Sequence, residues 1–338
     1  MTRAVQLLGP AREWAPGVAL LGFAALLPAL ASTEYVLLGA EMLPAVLLAV
    51  SFNLLFGYAG MFSFGQAAFY GVGAYATALL MNEAGFGFYL ALAAGIVVAT
   101  LLATLSGQAL VRLEPIAFIM LTFALADLLE FAASHARRLT GGDGGTIAEL
   151  PRSLNVDVAA DGVYYAILAV TAVVLVAAFA YVRSRAGLML RAIREDPLRA
   201  ATLGIAVERR RLGVFALAGA LAAAGGGLSV LTTQIVYPSL FAWQVSAAAL
   251  IGTLLGGVGS FSGPMIGAVL LSLVNFYVGR SSTNTLLIDG GVLLAIVLVA
   301  PRGVLSLGSG SLPGALVGIG QRLCSRLKER RARTGATG

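Results

Sequence analysis

The chain has 338 residues, 59% of them hydrophobic and 11% charged, with a mean hydropathy of +0.91. An average soluble domain carries about 25% charged residues, so a chain this apolar cannot clothe a water-facing surface, and a polytopic membrane protein is expected instead. The net charge of +6 then follows from the arginine and lysine bias of cytoplasmic loops, and nucleic acid is not needed to explain it.

The apolar runs are longer than the ~10 residues of a barrel strand and do not alternate, so the expected fold class is all-α. Cys324 is the only cysteine, which excludes an intrachain disulfide, and His135 is the only histidine. One of each cannot assemble a typical zinc or redox site, and no metal site is expected. Lys328, the only lysine, follows Leu327. A phosphate-binding P-loop needs Gly-Lys followed by Ser or Thr, so this chain carries no ATP site of that kind. Neither a Gly-x-Ser-x-Gly elbow nor His-Glu-x-x-His occurs. No catalytic residue is assigned, and the chain is expected not to be an enzyme.

Residues 1–15 read as a cytoplasmic tail. Arg3 and Arg12 precede an apolar stretch from Gly17 to Leu27, followed by Pro28 and Ala29-Leu30-Ala31. That pattern fits a cleavable signal peptide or a short, retained first helix, and either leaves residue 32 outside. About ten spans are expected, within a range of eight to eleven, near 16–31, 35–57, 62–82, 87–110, 115–133, 163–182, 211–232, 241–257, 261–279 and 285–300. The joint with Arg112 and Glu114 falls inside. An outer loop covers 134–162, where Arg137, Arg138 and Arg152 are offset by Asp143, Glu149, Asp157 and Asp161. A cytoplasmic loop covers 183–211, and the transmembrane domain runs over 16–307. The basic tail 308–338, disordered or partly helical, is inside, so both termini are cytoplasmic.

Two glycine-rich stretches, 57–75 and 256–268, align as a faint repeat: Gly57 with Gly256, Gly60 with Gly259, Phe62 with Phe261, Ser63 with Ser262. Both fall at inside turns. Glycine-interrupted apolar segments at matching places in two halves point to a translocation path. The path candidates are Gly57, Gly60, Ser63, Gly65, Gln66, Gly256, Gly257 and Gly259, with Asp127 and Asp289. Close helix packing is the competing explanation, because Ser63, Ala67, Gly71 and Gly219, Ala223, Gly227 show the small-xxx-small spacing. The ionisable residues inside spans are Glu41, Asp127, Glu130 and Asp289. Each either serves function, bonds another helix or reaches the interface. In the outer loop, Thr140, Gly141, Gly142 and Asp143 open a glycine run that caps the pore mouth, meets a delivery protein or forms a solvated turn.

The stretch Arg183–Arg211 carries eight arginines against Glu195, Asp196 and Glu208. Asp196-Pro197 reads as an N-cap with proline at the first helical position. Leu198, Ala201, Thr202 and Ile205 then share a face, and Gly204 is a helix stop. Upstream, Met189, Ala192 and Ile193 form another apolar stripe. Two short amphipathic helices on the cytoplasmic surface follow, resting on lipid or filling a groove of a partner.

These residues resemble the permease subunits of branched-chain amino-acid ABC importers, of the LivM type more than its LivH sister. The resemblance rests on Asn53-Leu-Leu-Phe-Gly-Tyr-Ala-Gly60, Ser63-Phe-Gly-Gln-Ala-Ala-Phe69, Gly71-Val-Gly-Ala-Tyr75 and Thr140-Gly-Gly-Asp-Gly. It extends through Gly187 to Gly204, Gly256-Gly-Val-Gly259, Gly263-Pro and Pro301-Arg-Gly303. Glutamine stands at 66 where members often have histidine.

The resemblance implies a multi-pass protein of the bacterial inner membrane. It pairs with a second permease, usually as a heterodimer, is driven by two ATPase subunits that bind the ATP and magnesium, and is fed by a periplasmic binding protein. This chain itself holds no cofactor; lipid surrounds it and nucleic acid plays no part. The family's Glu-Ala-Ala…Gly pattern falls on Glu195, Ala200, Ala201 and Gly204, with Asp-Pro-Leu-Arg separating the first two. The implied ATPase-coupling residues are Arg191, Arg194, Glu195, Asp196, Ala200, Ala201 and Gly204. Relatives of this type carry branched-chain and other amino acids, urea and short amides, or aromatic acids. From the residues alone, an ion-coupled secondary transporter using Asp127 and Asp289, a channel and a membrane scaffold stay open.

Overall fold

A backbone in lipid must satisfy its hydrogen bonds internally, and a helix does so within one segment. The computed structural model of the protein describes residues 16–29, 32–151, 156–281 and 291. Helix α1 (Pro16–Ala29) comes first. Helix α2 (Thr33–Asn53) runs on into a π-helical turn, Leu54–Tyr58. Then come α3 (Gln66–Ala84), α4 (Phe88–Leu110), α5 (Pro115–His135) and the short α6 (Arg137–Thr140). They are followed by α7 (Val156–Arg183), α8 (Arg185–Glu195), α9 (Pro197–Thr202), α10 (Val207–Thr233), α11 (Trp243–Gly256) and α12 (Ser262–Ser281). The fold class is all-α. Among the described residues five stretches are long and apolar enough to cross a membrane: Thr33–Tyr58, Phe88–Leu110, Pro115–His135, Ala160–Arg183 and Val207–Thr233. Three apolar helices, α1, α11 and Ser262–Tyr277, are shorter. The expected span at 285–300 with Asp289, apart from residue 291, and both tails lie outside the described residues.

Helix α10 is the axis. It lies against α3 so closely that a Cβ on Gly73 would stand 2.3 Å from the Ala223 carbonyl oxygen, and one on Gly226 1.9 Å from that of Tyr70. The packing explanation therefore holds for the α10 stripe: a Cβ on Gly219 would meet Ala103, and one on Gly227 would meet Leu92. For the other stripe it fails at one position. Helix α3 begins at Gln66, so Ser63 lies in the turn before it, where its Oγ accepts from the Gly65 N–H at 3.1 Å. Helix α2 also packs on α10, with Pro44 O and Leu47 against Gly225, and its Leu47, Val50 and Phe52 are buried.

Two corrections concern the outer loop. Helix α7 already begins at Val156, and the stretch from 137 to 147 is built rather than free. Thr140 Oγ1 donates to the Ala133 and Ala136 carbonyls at 2.5 and 3.0 Å. Thr146–Ile147 (β1) pairs antiparallel with Ile235–Val236 (β2), in register Thr146 to Val236. Asn82, near the end of α3, donates to Ile147 O at 2.7 Å and accepts from Glu149 N at 2.9 Å. The loop is thereby stitched to the ends of α3 and α10.

Candidate functional site

The 183–211 segment folds as a hairpin of two helices. Ser184 caps α8 by accepting from Ala186 N at 3.2 Å, and Asp196 caps α9 by accepting from Arg199 N at 3.0 Å. Pro197 follows at the first helical position, as its fixed φ favours. Gly204, at φ +82°, closes the hairpin in the left-handed region, with nothing within 4 Å of where a Cβ would sit. The expected caps and stop are thus present, but the faces differ. In α8 the buried positions are Gly187, Leu190 and Ile193, not a Met189–Ala192–Ile193 stripe. In α9 the buried residue is Ala200, at 2% exposure, while Leu198, Ala201 and Thr202 face outward. Leu188, Leu198 and Leu203 are left 62%, 79% and 75% exposed.

The hairpin sits on the two glycine turns, which the fold brings together. A Cβ on Gly57 would lie 3.0 Å from Gly259 N. Asn53, at the end of α2, joins them: its Nδ2 donates to Ser260 O at 2.9 Å and its Oδ1 accepts from Gly259 N at 3.2 Å. Gly60 reverses the chain at φ +71°, conformational space closed to most side chains. Arg194 Nη1 donates to the Gly57 carbonyl, and the Arg191 guanidinium lies 5.2 Å above the Tyr58 ring. Behind the turns, Ser246 Oγ donates to Phe64 O at 2.5 Å and accepts from Ala67 N at 2.9 Å. Ser51 donates to Gln66 Oε1 at 3.0 Å. The Gln66 amide nitrogen is buried with no hydrogen-bond partner among the described residues. Gly256 packs on Gly263, closing α11 onto α12.

Along the second half of α5, Asp127, Glu130, Phe131 and Ser134 line an open cleft of about 570 Å³ with Asp143 and Tyr237. Sequence separation hides this meeting of the glycine loop with α5. No group of three His, Cys, Asp or Glu among the described residues is arranged to hold a metal ion.

The structure thus gathers Gly57, Gly60, Gly259 and Arg194 at one place and sets Asp127 with Asp143 at another. Ser63, Gly65 and Gln66 lie on the turn entering α3, and Gly256 and Gly257 on the turn leaving α11. Glu195 and Ala201 are exposed on the hairpin, whereas Ala200, Arg191 and Arg194 make contacts within the chain. Sequence reasoning did not single out Asn53 and Ser246, whose hydrogen bonds hold the turns. A buried amide at the end of an otherwise apolar span was the available signal for the first.

Apolar spans around paired glycine turns, with an exposed basic hairpin beside them, describe a helical membrane protein. The family described as branched-chain amino acid transport system / permease component matches residues 37–300, and the chain belongs to that family. It is 25% identical over 315 residues to the high-affinity branched-chain amino acid transport system permease protein LivM of Escherichia coli strain K12, covering 85% of this chain and 74% of that protein. It is 26% identical over 281 residues to the LivH permease of the same strain, covering 77% and 90%. To a probable LivH of Methanocaldococcus jannaschii it is 33% identical over 133 residues, covering 36% and 41%. No solved structure matches the chain. The chain is therefore a multi-pass permease of a transport family and not an enzyme.

Proposed function

We propose that the chain is the membrane permease subunit of an ABC importer, moving branched-chain amino acids or a related small polar solute into a bacterial cell. Two separate ATPase subunits drive it, a periplasmic protein delivers the solute, and a second permease completes the path. It crosses the inner membrane about ten times, with both termini in the cytoplasm. The observation that carries this reading is the hairpin: three leucines stand exposed on a basic loop, in a chain whose sequence has no P-loop. An exposed apolar patch rimmed by charge marks a partner surface. The ATPase would rest on Leu188, Leu198, Ala201 and Leu203, near Glu195 and Gly204.

Gly204→Trp tests the docking. There is space for the ring only while that face is free, although the left-handed φ adds strain. The variant should insert normally, yet lose uptake while ATP hydrolysis by the assembled transporter continues. Unchanged uptake would remove the hairpin from the coupling surface.

The second permease is assigned to the exposed face of α5. Of the five long spans α5 is the least buried. Asp127 lies ~18 Å along it at 1.5 Å per residue, exposed and with no hydrogen bond or ion pair among the described residues. An aspartate facing lipid near the centre of a span costs about 2.5–3.5 kcal/mol, so this face suits protein or a watered path, and the cleft beside it supplies the mouth. Asp127→Leu is expected to leave folding intact and to cut uptake. Full uptake by that variant would take Asp127 off the path, and gradient-driven uptake by the chain alone would replace the ABC reading with ion coupling.

A further inference from the structure

Two arginines of the hairpin are exposed yet make contacts within the chain. Arg194 lies across both glycine turns at once. Its Nη1 donates to Gly57 O. Its stem packs on Gly60, where a Cβ would stand 3.0 Å from Arg194 Cγ, and its guanidinium reaches Gly259, where a Cβ would lie 3.5 Å from Nη1. One turn earlier in α8, Arg191 covers the Tyr58 ring. Asn53 binds the second turn to the first through Ser260 and Gly259. The carbonyl that accepts from Arg194 lies in the π-helical turn ending α2. Such turns replace the i→i+4 ladder with i→i+5 bonds and are frequent at functional sites.

We infer that Arg194, backed by Arg191, is the link that carries movement of the hairpin into the two glycine turns. It is a positioning residue within this chain, not a contact to the ATPase. The geometry explains why an arginine serves. Its planar fork reaches over a turn and holds a carbonyl in a fixed direction, whereas its stem needs the missing side chain of Gly60 to lie flat. When the hairpin shifts, Gly57 and, through Asn53, Gly259 and Ser260 shift with it. The turns where α2 ends and where α11 gives way to α12 then move together.

The role rests on the ABC reading, but the contact can be tested without it. In a Cys324→Ser background, Gly60→Cys with Arg194→Cys places the two Cβ atoms about 3.6 Å apart, inside the disulfide range of about 3.5–4.5 Å. Mild oxidation of the full chain in membranes should give an intramolecular disulfide, read by mass and electrophoretic shift. Its absence in a correctly inserted chain would overturn the geometry. Because a cysteine at Gly60 is strained by its positive φ, a second series leaves that residue alone.

In the assembled transporter, Arg194→Met should co-purify with the ATPase as the parent does and hydrolyse ATP. Its uptake per ATP should fall at least about fivefold, the low end of usual coupling between sites. Arg194→Lys, which can still donate to Gly57 O, should recover part of the loss. Oxidising the cysteine pair should restore uptake per ATP above the reduced pair, since the disulfide replaces the link. Loss of ATPase co-purification in Arg194→Met would make Arg194 a partner contact and overturn the inference, as would uptake that oxidation does not change. If the parent complex shows no ATP-driven uptake while the disulfide forms, the ABC reading fails and the contact stands.

Discussion

Replacing Gly226 with valine is expected to keep α3 and α10 from closing on each other and to remove the chain from the folded, detergent-stable fraction. The approach at this point is backbone against helix: a Cβ would stand 1.9 Å from the Tyr70 carbonyl oxygen and 2.7 Å from its carbon. A rotamer change cannot relieve a clash with backbone. Forcing extra atoms into a packed interior typically costs about 1–3 kcal/mol, and here the whole helix pair must separate, taking the contact at Gly73 with it. Folded proteins have only about 5–15 kcal/mol in total. Gly213→Val on the same helix is the control, because a Cβ there meets only Tyr181 Oη, at 4.0 Å. Thermal unfolding in detergent should separate the two by several degrees. Equal stability of Gly226→Val and Gly213→Val would show that α3 and α10 do not meet in this way.

The second large effect is expected at Asn53. Asn53→Asp keeps the shape and the acceptor for Gly259 N, yet it removes the donor to Ser260 O and sets a carboxylate against that carbonyl. The residue is buried. An unmet buried donor or acceptor costs about 1–3 kcal/mol, and more when charged. Asn53→Ala leaves both turns unpaired, but introduces no charge. Stability should therefore fall in the order parent, Asn53→Ala, Asn53→Asp, and uptake should be lost in both variants. An aspartate variant as stable and active as the parent would mean that the two turns are not joined through this side chain.

Much of the fold was legible because it is locally encoded. Apolar runs of span length, Asp196-Pro197 as cap and first turn, and Gly204 as stop each depend on neighbours within one or two helical turns. The faces of α8 and α9 were not legible, since spacing identifies an apolar stripe without saying which way it points. Leu190, Ile193 and Ala200 face the bundle; Leu188, Leu198 and Leu203 face away. The glycine repeat was visible as an alignment, but whether a glycine there packs or turns depends on what lies opposite it. Gly226 packs against Tyr70, whereas Gly60 turns the chain under Arg194.

By itself, then, the sequence determined a helical membrane protein with no ATP-binding loop and a capped basic hairpin, because hydrophobic length, charge and capping act over short stretches of chain. Only the tertiary structure decided that Asn53 holds a turn 207 residues away and that Arg194 reaches 137 residues back to Gly57. Such contacts depend on how close the helices come, and that distance is set by every small residue between them at once.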